Sequence, residues 1–326
     1  MSGHLSGTSD ASGASGARPP TAPPLDDRDG VIWLDGRLVP WREARLHVLS
    51  HGLHYGGSVF EGERVYAGQV FKLHEHSLRL IASAREMGFA LPWDADEVDA
   101  ATRQVVAHAG LTEGYVRPVA WRGSETLRLV APGTAVHVAI AAWPWPRVFT
   151  AGPGGIRLAT SRWRRPAPDT APVRAKTAAL YALGSLAGQE AEAAGRDDAL
   201  LLDHRGRLAE ATGANLFLVI DGALHTPPPE CVLDGITRRT VLALARGLGL
   251  ETVERHMEPA ELARAREVFL TGTAYEVQPV TAVDALEYPV GAVTTALVRA
   301  YARAVREGTG PAPVGGAAPV AAGGSG

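Results

Sequence analysis

Apolar and polar residues change period repeatedly along the chain, from two to nearly four and back, and this switching predicts strands interleaved with helices. Order starts at VIWLDGRLVP, where Asp35-Gly36 between two short apolar runs predicts a β-hairpin. HVLSHGLHYGGSVFEGERVY follows, with Gly52, Gly56, Gly57 and Gly62 in or beside strands, where they permit close backbone approach. A turn at Ala67-Gly68 precedes QVFKL. In EHSLRLIASAREMG, apolar residues at 78, 81, 84 and 87 form a helical stripe, and a second helix runs from Asp94 to about residue 109. YVRPVAW and AVHVAIAAW read as strands.

The pattern then breaks. PWPRVFTAGPGG, residues 144–155, is rich in proline and glycine without periodicity and is the expected connection between two domains. IRLATSRW resumes as a strand, RRPAPDTAPV is irregular, and a helix starting at Lys176 runs to about Ala194 with Leu180, Leu183, Ala187 and Ala191 as its buried stripe. DALLLDHRGRLAEATGANLFLVIDGALHTPP divides into three extended pieces at residues 204–206 and at Asp221-Gly222. A loop from Cys231 to Gly235 feeds the helix ITRRTVLALARGLG. ETVERHM reads as a strand, EPAELARA as a short helix, EVFLTGTAYEVQPV as a strand broken at Gly272, and residues 293–306 as the last helix. The chain has no repeat and no sustained heptad. The fold class is mixed α/β, with a first unit over residues 28–143 and a second over 156–307. Residues 1–27 and 308–326 are Ser, Gly, Ala and Pro with little to bury and are expected to be disordered.

Composition narrows the function. The 326 residues are 46% hydrophobic and 21% charged with a net charge of -3, enough for a large core and without the basic footprint of a nucleic-acid binder. Cys231 is the only cysteine, which excludes an intrachain disulfide and a cysteine metal cluster and fits a reducing compartment. No apolar run is long enough to span a membrane, and the N-terminus lacks a basic start and apolar block, so cytoplasm is the expected location.

Only two of the 32 Lys and Arg residues are lysines, Lys72 and Lys176. Arginine can replace lysine as a solvated cation but not as an amine that traps a carbonyl, so Lys176 in RAKTAALY is either an ordinary helix-start residue or a nucleophilic amine for pyridoxal phosphate. Other candidates carry similar pairs of readings. In DGITRR, the N–H groups of Ile236 and Thr237 at a helix start suit a phosphate, or merely follow a glycine-bearing connection. Thr271-Gly272-Thr273 is an anion-binding turn or a bulge. Arg79 is a phosphate ligand or a solvated cation. Glu210, among small and apolar neighbours, needs a partner if buried, and a pyridinium nitrogen would serve; capping or a salt bridge is the alternative. Asn215 orients the acid or forms a turn. His51, His54 and the HEH at 74–76 lack convincing metal spacing, so no metal is expected.

In combination, HVLSHGLHYGGSVFEGERVY, YVRP, RAKTAALY, and AEATGANLF with LDGITR and FLTGTA resemble, in order and spacing, the class IV (fold-type IV) pyridoxal-phosphate aminotransferases, and most closely the bacterial branched-chain amino acid aminotransferases. The resemblance covers about residues 30–306. It implies a smaller N-terminal α/β domain, a larger C-terminal domain with a pseudo-barrel sheet, the cofactor in the cleft between them, and a homodimer or assembly of dimers whose pocket borrows a loop from its neighbour. By the same resemblance Lys176 holds the cofactor aldehyde, Tyr181 bonds its phenolic oxygen, Glu210 faces its ring nitrogen, and Arg79, Ile236, Thr237 and Thr273 form the phosphate cup. Tyr55, Phe60, Arg64, Tyr115, Arg117 and Trp145 resemble residues at the substrate pocket, and Thr273 and Ala274 the turn that receives the α-carboxylate.

The implied activity is reversible transfer of the amino group between L-leucine, L-isoleucine or L-valine and 2-oxoglutarate. The family motif has a small residue at the position of Tyr275, and PWPRVF lacks the tyrosine expected after Trp145. These departures concern the side-chain pocket, so a non-standard amino or oxo acid, a D-amino acid, an amine, or an aminodeoxychorismate lyase-like reaction stands as the alternative. A silent binding protein with this fold is disfavoured by the intact Lys176, Tyr181 and Glu210.

Overall fold

The computed structural model describes residues 24–145 and 154–307; the predicted arm to residue 23, residues 146–153 of the predicted connection, and the predicted tail lie outside them. Strands β1 (Val31–Leu34), β2 (Arg37–Pro40), β3 (Ser58–Phe60), β4 (Glu63–Tyr66), β5 (Gln69–Val70), β6 (Glu113–Arg122) and β7 (Val136–Trp143) form one sheet in the order β2-β1-β7-β6-β4-β5, with β3 also on β6. The first hairpin turns as expected, with Asp35 and Gly36 both at positive φ, 49° and 91°. A short helix α1 (His51–Tyr55) occupies part of the glycine-rich stretch expected to be extended. It ends on Gly56 at φ 65°, where a Cβ would come within 2.8 Å of Ala179, so glycine is required there twice over.

Helices α2 (Leu73–Glu86) and α3 (Ala95–His108) cover one face of this sheet, burying Leu80, Ala84, Val98 and Val105 against Val65, Val116 and Ile140. α3 starts with a reciprocal capping box between Asp94 and Glu97. The phase of α2 differs from the expected stripe. Leu78 is exposed, and the buried face instead carries His76, Ser77 and Ser83 beside Leu73, Leu80 and Ala84. These polar residues stay buried because each has a partner: Glu61 for His76, Asp99 for Ser77 and the Lys176 main chain for Ser83. The helix turns its polar positions inward to serve the site.

The second sheet contains β8 (Ile156–Arg164), β9 (Asp198–Leu202), β10 (Leu208–Ala211), β11 (Asn215–Ile220), β12 (Ala223–Thr226), β13 (Thr252–Glu254), β14 (Glu267–Gly272), β15 (Glu276–Val283) and β16 (Leu286–Glu287). Its order β10-β9-β8-β15-β14-β11, with β10 paired back onto β11, closes six strands into a barrel-like ring. The predicted three extended pieces are four strands, because residues 212–214 interrupt β10 and β11 as well. β11 is buried on both faces: Leu216, Leu218 and Ile220 enter one cluster with Leu158, Leu200 and Leu270, while Phe217 and Val219 pack with Phe269 against Val241, Leu242, Leu297 and Tyr301. Those last four belong to α5 (Ile236–Gly247) and α6 (Ala292–Glu307). Helix α4 (Ala178–Ala193) lies on β8 and β9 through Ala187 and Ala191; Leu180 and Leu183, expected to be buried with them, are only partly covered because they face a cavity.

Candidate active site

A cavity of ≈ 210 Å³ lies where the two sheets meet, and side chains from both reach it. Lys176 lines it. The residue precedes α4 rather than lying inside it, and its main chain is tied to the first sheet and to α2: Phe60 N donates to Lys176 O (3.1 Å), and Lys176 N donates to Ser83 Oγ (3.0 Å). The neighbouring Thr177 is fully buried, bridges to Val59, and donates its hydroxyl to Ser58 O. With the backbone fixed from both sides, Lys176 Nζ donates to Tyr181 Oη at 2.6 Å and stands 5.0 Å from the Phe60 ring. Lys72, the other lysine, is exposed and pairs with Glu75 one turn along α2. The two lysines are thus a surface ion pair and a cavity amine.

Glu210 sits where β10 meets β11, and the one register pair between these strands is Glu210 with Asn215. Barrel closure therefore brings the acid and its orienting amide together. One carboxylate oxygen accepts from Asn215 Nδ2 and from Leu233 N, and the other lies 3.0 Å from Arg165 Nε. Burial pushes the Glu210 carboxyl above its ordinary pKa, opposed by Arg165 and the Leu233 N–H. Asn215 also donates to Leu233 O, which anchors the loop leading to α5. At the end of that loop Gly235 caps α5 with no side-chain bond to the first turn, so the N–H groups of Ile236 and Thr237 point out uncapped beside the cavity. A Cβ at Gly235 would collide with Asn215 Oδ1, which explains the glycine.

Arg79 reaches the same end of the cavity from α2. Its Nε and Nη2 bond both oxygens of Glu61 at 2.7 and 2.8 Å, and Nη1 donates to Asp234 O. Glu61 is fully buried and also takes 2.7 Å from His76 Nδ1. Burial alone would raise the Glu61 pKa, but the Arg79 charge and hydrogen bonds outweigh it and hold the carboxyl far below its usual range. The arginine is held rigidly by a buried carboxylate rather than solvated.

Across the cavity stand Phe60, Tyr115 and Arg117, with Thr273, Ala274 and Tyr275 from the turn between β14 and β15. Arg117 lies over the Phe60 ring at 4.7 Å and donates to Tyr115 Oη. Tyr275 gives its hydroxyl to the buried Asp198 (2.9 Å) while its ring lies against Gly213 and Gly272, so its phenol is engaged on the β9 side of the cavity. Burial raises the pKa values of both Tyr275 and Asp198.

Three expected pocket residues lie elsewhere in the chain. Arg64 and Trp145 line a neighbouring cavity of ≈ 220 Å³ with Tyr66 and Glu113; Trp145 still packs on Tyr115, ring centroids 5.2 Å apart. Tyr55 is 45% exposed and bonds Leu127 O on the outer surface. Sequence reasoning overlooked Arg165, Glu61 and Asp198. For Asp198 a signal existed, since it is the one acid in an otherwise apolar strand, whereas Glu61 falls between β3 and β4 in a run shared with Glu63 and Arg64. Arg165 falls in the irregular RRPAPDT run and gave none. Among the described residues, two groups of acid, histidine or thiol side chains have ligand atoms within 4.8 Å of one another, Asp203-His204-Cys231 and His74-Asp96-Asp99, both apart from the cavity; Asp203 is bonded to Arg207, and Asp99 to Ser77 and Arg103. No helix among the described residues is long and apolar enough to cross a membrane.

The donor set fits a phosphorylated aromatic aldehyde. One amine, one phenol, a buried acid, a held arginine and an uncapped helix start converge, and the cavity also contains Thr271, whose buried Oγ1 has no partner among the described residues. Comparison with known proteins agrees. Residues 58–283 match the family described as amino-transferase class IV. A probable branched-chain-amino-acid aminotransferase of Rickettsia felis is 42% identical over 281 residues, 85% of this chain and 96% of that protein. The crystal structure of the Escherichia coli branched-chain amino acid aminotransferase superposes with a TM-score of 0.82 at 38% identity, over 85% of this chain and 94% of the other. That of the branched-chain amino acid aminotransferase from Thermobaculum terrenum, in its PLP-bound holo-form, gives 0.79 at 31% identity, over 86% and 94%.

Proposed function

Because the chain belongs to the class IV aminotransferases and is thereby a pyridoxal-phosphate-dependent enzyme of fold-type IV, we propose that it exchanges the amino group between branched-chain L-amino acids and 2-oxoglutarate. The observation that carries this reading is the convergence of Lys176, Tyr181, Glu210 and Arg79 on one cavity, together with relatives named for that substrate class over most of their length. When bound, pyridoxal phosphate supplies an aldehyde that captures amines and a ring that withdraws electrons from the substrate's α-carbon.

The residues then divide the work. Lys176 Nζ would hold the cofactor covalently, and as a free amine it would be the base that takes the substrate's α-proton and the acid that gives a proton back. Tyr181 fixes that amine and bonds the cofactor's phenolic oxygen. Glu210, with Asn215, holds the ring-nitrogen proton. Arg79, the Ile236 and Thr237 N–H groups and the Thr273 hydroxyl receive the phosphate. Thr273 and Ala274 take the α-carboxylate, and Phe60, Tyr115, Arg117 and Tyr275 bound the side-chain space. We assign residues 28–143 and 156–307 to two domains, since each sheet falls wholly within one of them.

A homodimer completes the site. Leu129, Val130 and Val48 are 73%, 72% and 66% exposed, and they lie with Leu53, Leu127 and Tyr55 on two segments joined by the Tyr55–Leu127 and His51–Leu129 bonds. An apolar surface of this kind suits burial against a second copy, which would bring Tyr55 and the Leu127–Val130 loop to the neighbour's cavity, with Arg64 and Trp145 beyond Tyr115 as an outer wall. The single buried thiol suits a reducing compartment, and we place the enzyme in the cytoplasm.

The test is transamination of a broad 2-oxo acid panel with L-glutamate as donor. The oxo acids of leucine, isoleucine and valine should react best, and Lys176→Ala should abolish turnover and covalent capture of the cofactor by borohydride. Capture on Lys72, or a panel in which only other acceptors react, overturns the reading.

A further inference from the structure

Arg165 follows β8, and its backbone N donates to Leu202 O at 2.8 Å. Its side chain is only 11% exposed. Nε stands 3.0 Å from Glu210 Oε1 and donates to Cys231 O at 3.1 Å, Nη2 reaches Val173 O, and the side chain lines the cavity. A buried cation behind the acid assigned to the ring nitrogen is unexpected at first, because it repels a protonated ring.

We infer that Arg165 is a positioning residue that acts through Glu210: it fixes Glu210 as a carboxylate, so that the proton shared between this acid and the cofactor's ring nitrogen resides on the nitrogen. The inference rests on the assignment of Glu210 made above. A buried carboxyl facing a pyridine has two states, a neutral acid donating to the nitrogen and a carboxylate accepting from a protonated ring. Burial by itself favours the uncharged pair. Arg165 reverses the preference because distance decides the balance. Its attraction for the carboxylate acts at contact, whereas its repulsion of the ring nitrogen acts one hydrogen bond further away. Asn215 Nδ2 and Leu233 N add to this, since both donate to the carboxylate and neither can accept from a neutral acid. Among these three neighbours only Arg165 carries charge, and Glu210 with Arg165 forms a locally neutral ion pair that is tolerable in the interior.

Cofactor labelled with 15N in the ring reports the proton directly by NMR on the loaded enzyme, and wild type is compared with Arg165→Gln, Arg165→Lys and Glu210→Gln across pH. Glutamine keeps a donor for Cys231 O without the charge, and lysine keeps the charge. In Arg165→Gln the shared proton should move from the ring nitrogen toward Glu210 by a factor of about 10–1000, the equivalent of the roughly 1–3 pKa units by which an adjacent opposite charge lowers a carboxyl, so that the ring nitrogen reads as unprotonated across the pH interval in which the wild-type ring is protonated. Over that interval kcat should fall with little change in KM for the amino donor, and Arg165→Lys should restore both. A ring nitrogen in Arg165→Gln that stays protonated over the wild-type range overturns the inference. Should Arg165→Gln fail to fold, Arg165→Lys decides: a ring proton retained as in wild type supports the role of charge, and one lost early refutes it. Glu210→Gln separates the two layers. If it keeps the ring protonated, the Glu210 assignment itself falls; if only Glu210→Gln deprotonates the ring, that assignment stands and the role of Arg165 falls.

Discussion

The two ends of the cavity are built on different principles. At the cofactor end every group is held before anything binds. Arg79 is clamped by Glu61, Glu210 by Arg165, Asn215 and Leu233 N, and Lys176 by hydrogen bonds from both sides of its peptide. The substrate end is a wall of Phe60, Tyr115 and Arg117 facing a tight turn, and the residues expected to complete it lie on the outer surface or in the next cavity. Permanent chemistry is served by a rigid, single-chain construction. Substrate choice is left to the wall and the turn, where change costs the fold little.

The strongest way to break this contrast is to damage only the substrate end. Leu129→Asp with Val130→Asp places two charges on the exposed apolar surface. If a second copy covers it, the pair of substitutions should yield monomers in sedimentation, with turnover close to background. Each chain should still bind cofactor with its ordinary absorption band, because none of the cofactor-end residues touches that surface. A monomer with full turnover would show that one chain suffices, and an unchanged dimer would move the interface elsewhere.

The converse is Glu61→Gln, which damages only the cofactor end. Glu61 never enters the proposed chemistry; it holds Arg79. Removing its charge leaves a buried guanidinium unpaired, a loss of about 3–5 kcal/mol for breaking a buried pair. Cofactor affinity should fall at least about tenfold, the equivalent of about 1.4 kcal/mol. The preference among oxo acids should be unchanged once cofactor is saturating. An unaltered dissociation constant would mean that the Ile236 and Thr237 N–H groups hold the phosphate without a positioned arginine.

The same contrast explains what the sequence disclosed. Lys176, Tyr181, Glu210, Arg79 and the helix start at Ile236 were legible because each needs one residue type at one place, and the structure brings all of them to one cavity. The residues that hold them were harder to read. Glu61 and Arg165 act across 18 and 45 positions of sequence, distances at which periodicity carries no signal. The phase of α2 was misjudged for a related reason. An apolar stripe assumes that the core is apolar, whereas His76, Ser77 and Ser83 face inward because their partners wait there. Arg64, Trp145 and Tyr55 carry the family pattern, but the structure places them at the next cavity and on the outer surface, which spacing along the chain does not reveal.

The smallest effect is expected directly beneath the cofactor end, and it sharpens the distinction between holding a site and merely lying near it. Glu63 is two residues from Glu61 on the same face of the chain and is fully buried, yet neither of its carboxylate oxygens has a partner among the described residues. Burial, with the negative charges of Glu61 and Asp99, raises its pKa well above the ordinary value. A raised folded-state pKa fixes the sign of the pH dependence. The neutral acid is tolerated below the unfolded value of about 4.3, and stability is lost as pH rises from there through the folded value. Glu63→Val replaces an unsatisfied buried group with an apolar one that suits a strand, and should stabilise by about 1–3 kcal/mol, a few degrees in Tm. The advantage should widen from pH 4 to pH 8 and be accompanied by unchanged cofactor affinity, because the smaller apolar side chain would leave the Glu61–Arg79 clamp intact. A destabilised variant would mean that Glu63 has a partner in solution, and a loss of cofactor affinity would make it part of the clamp after all.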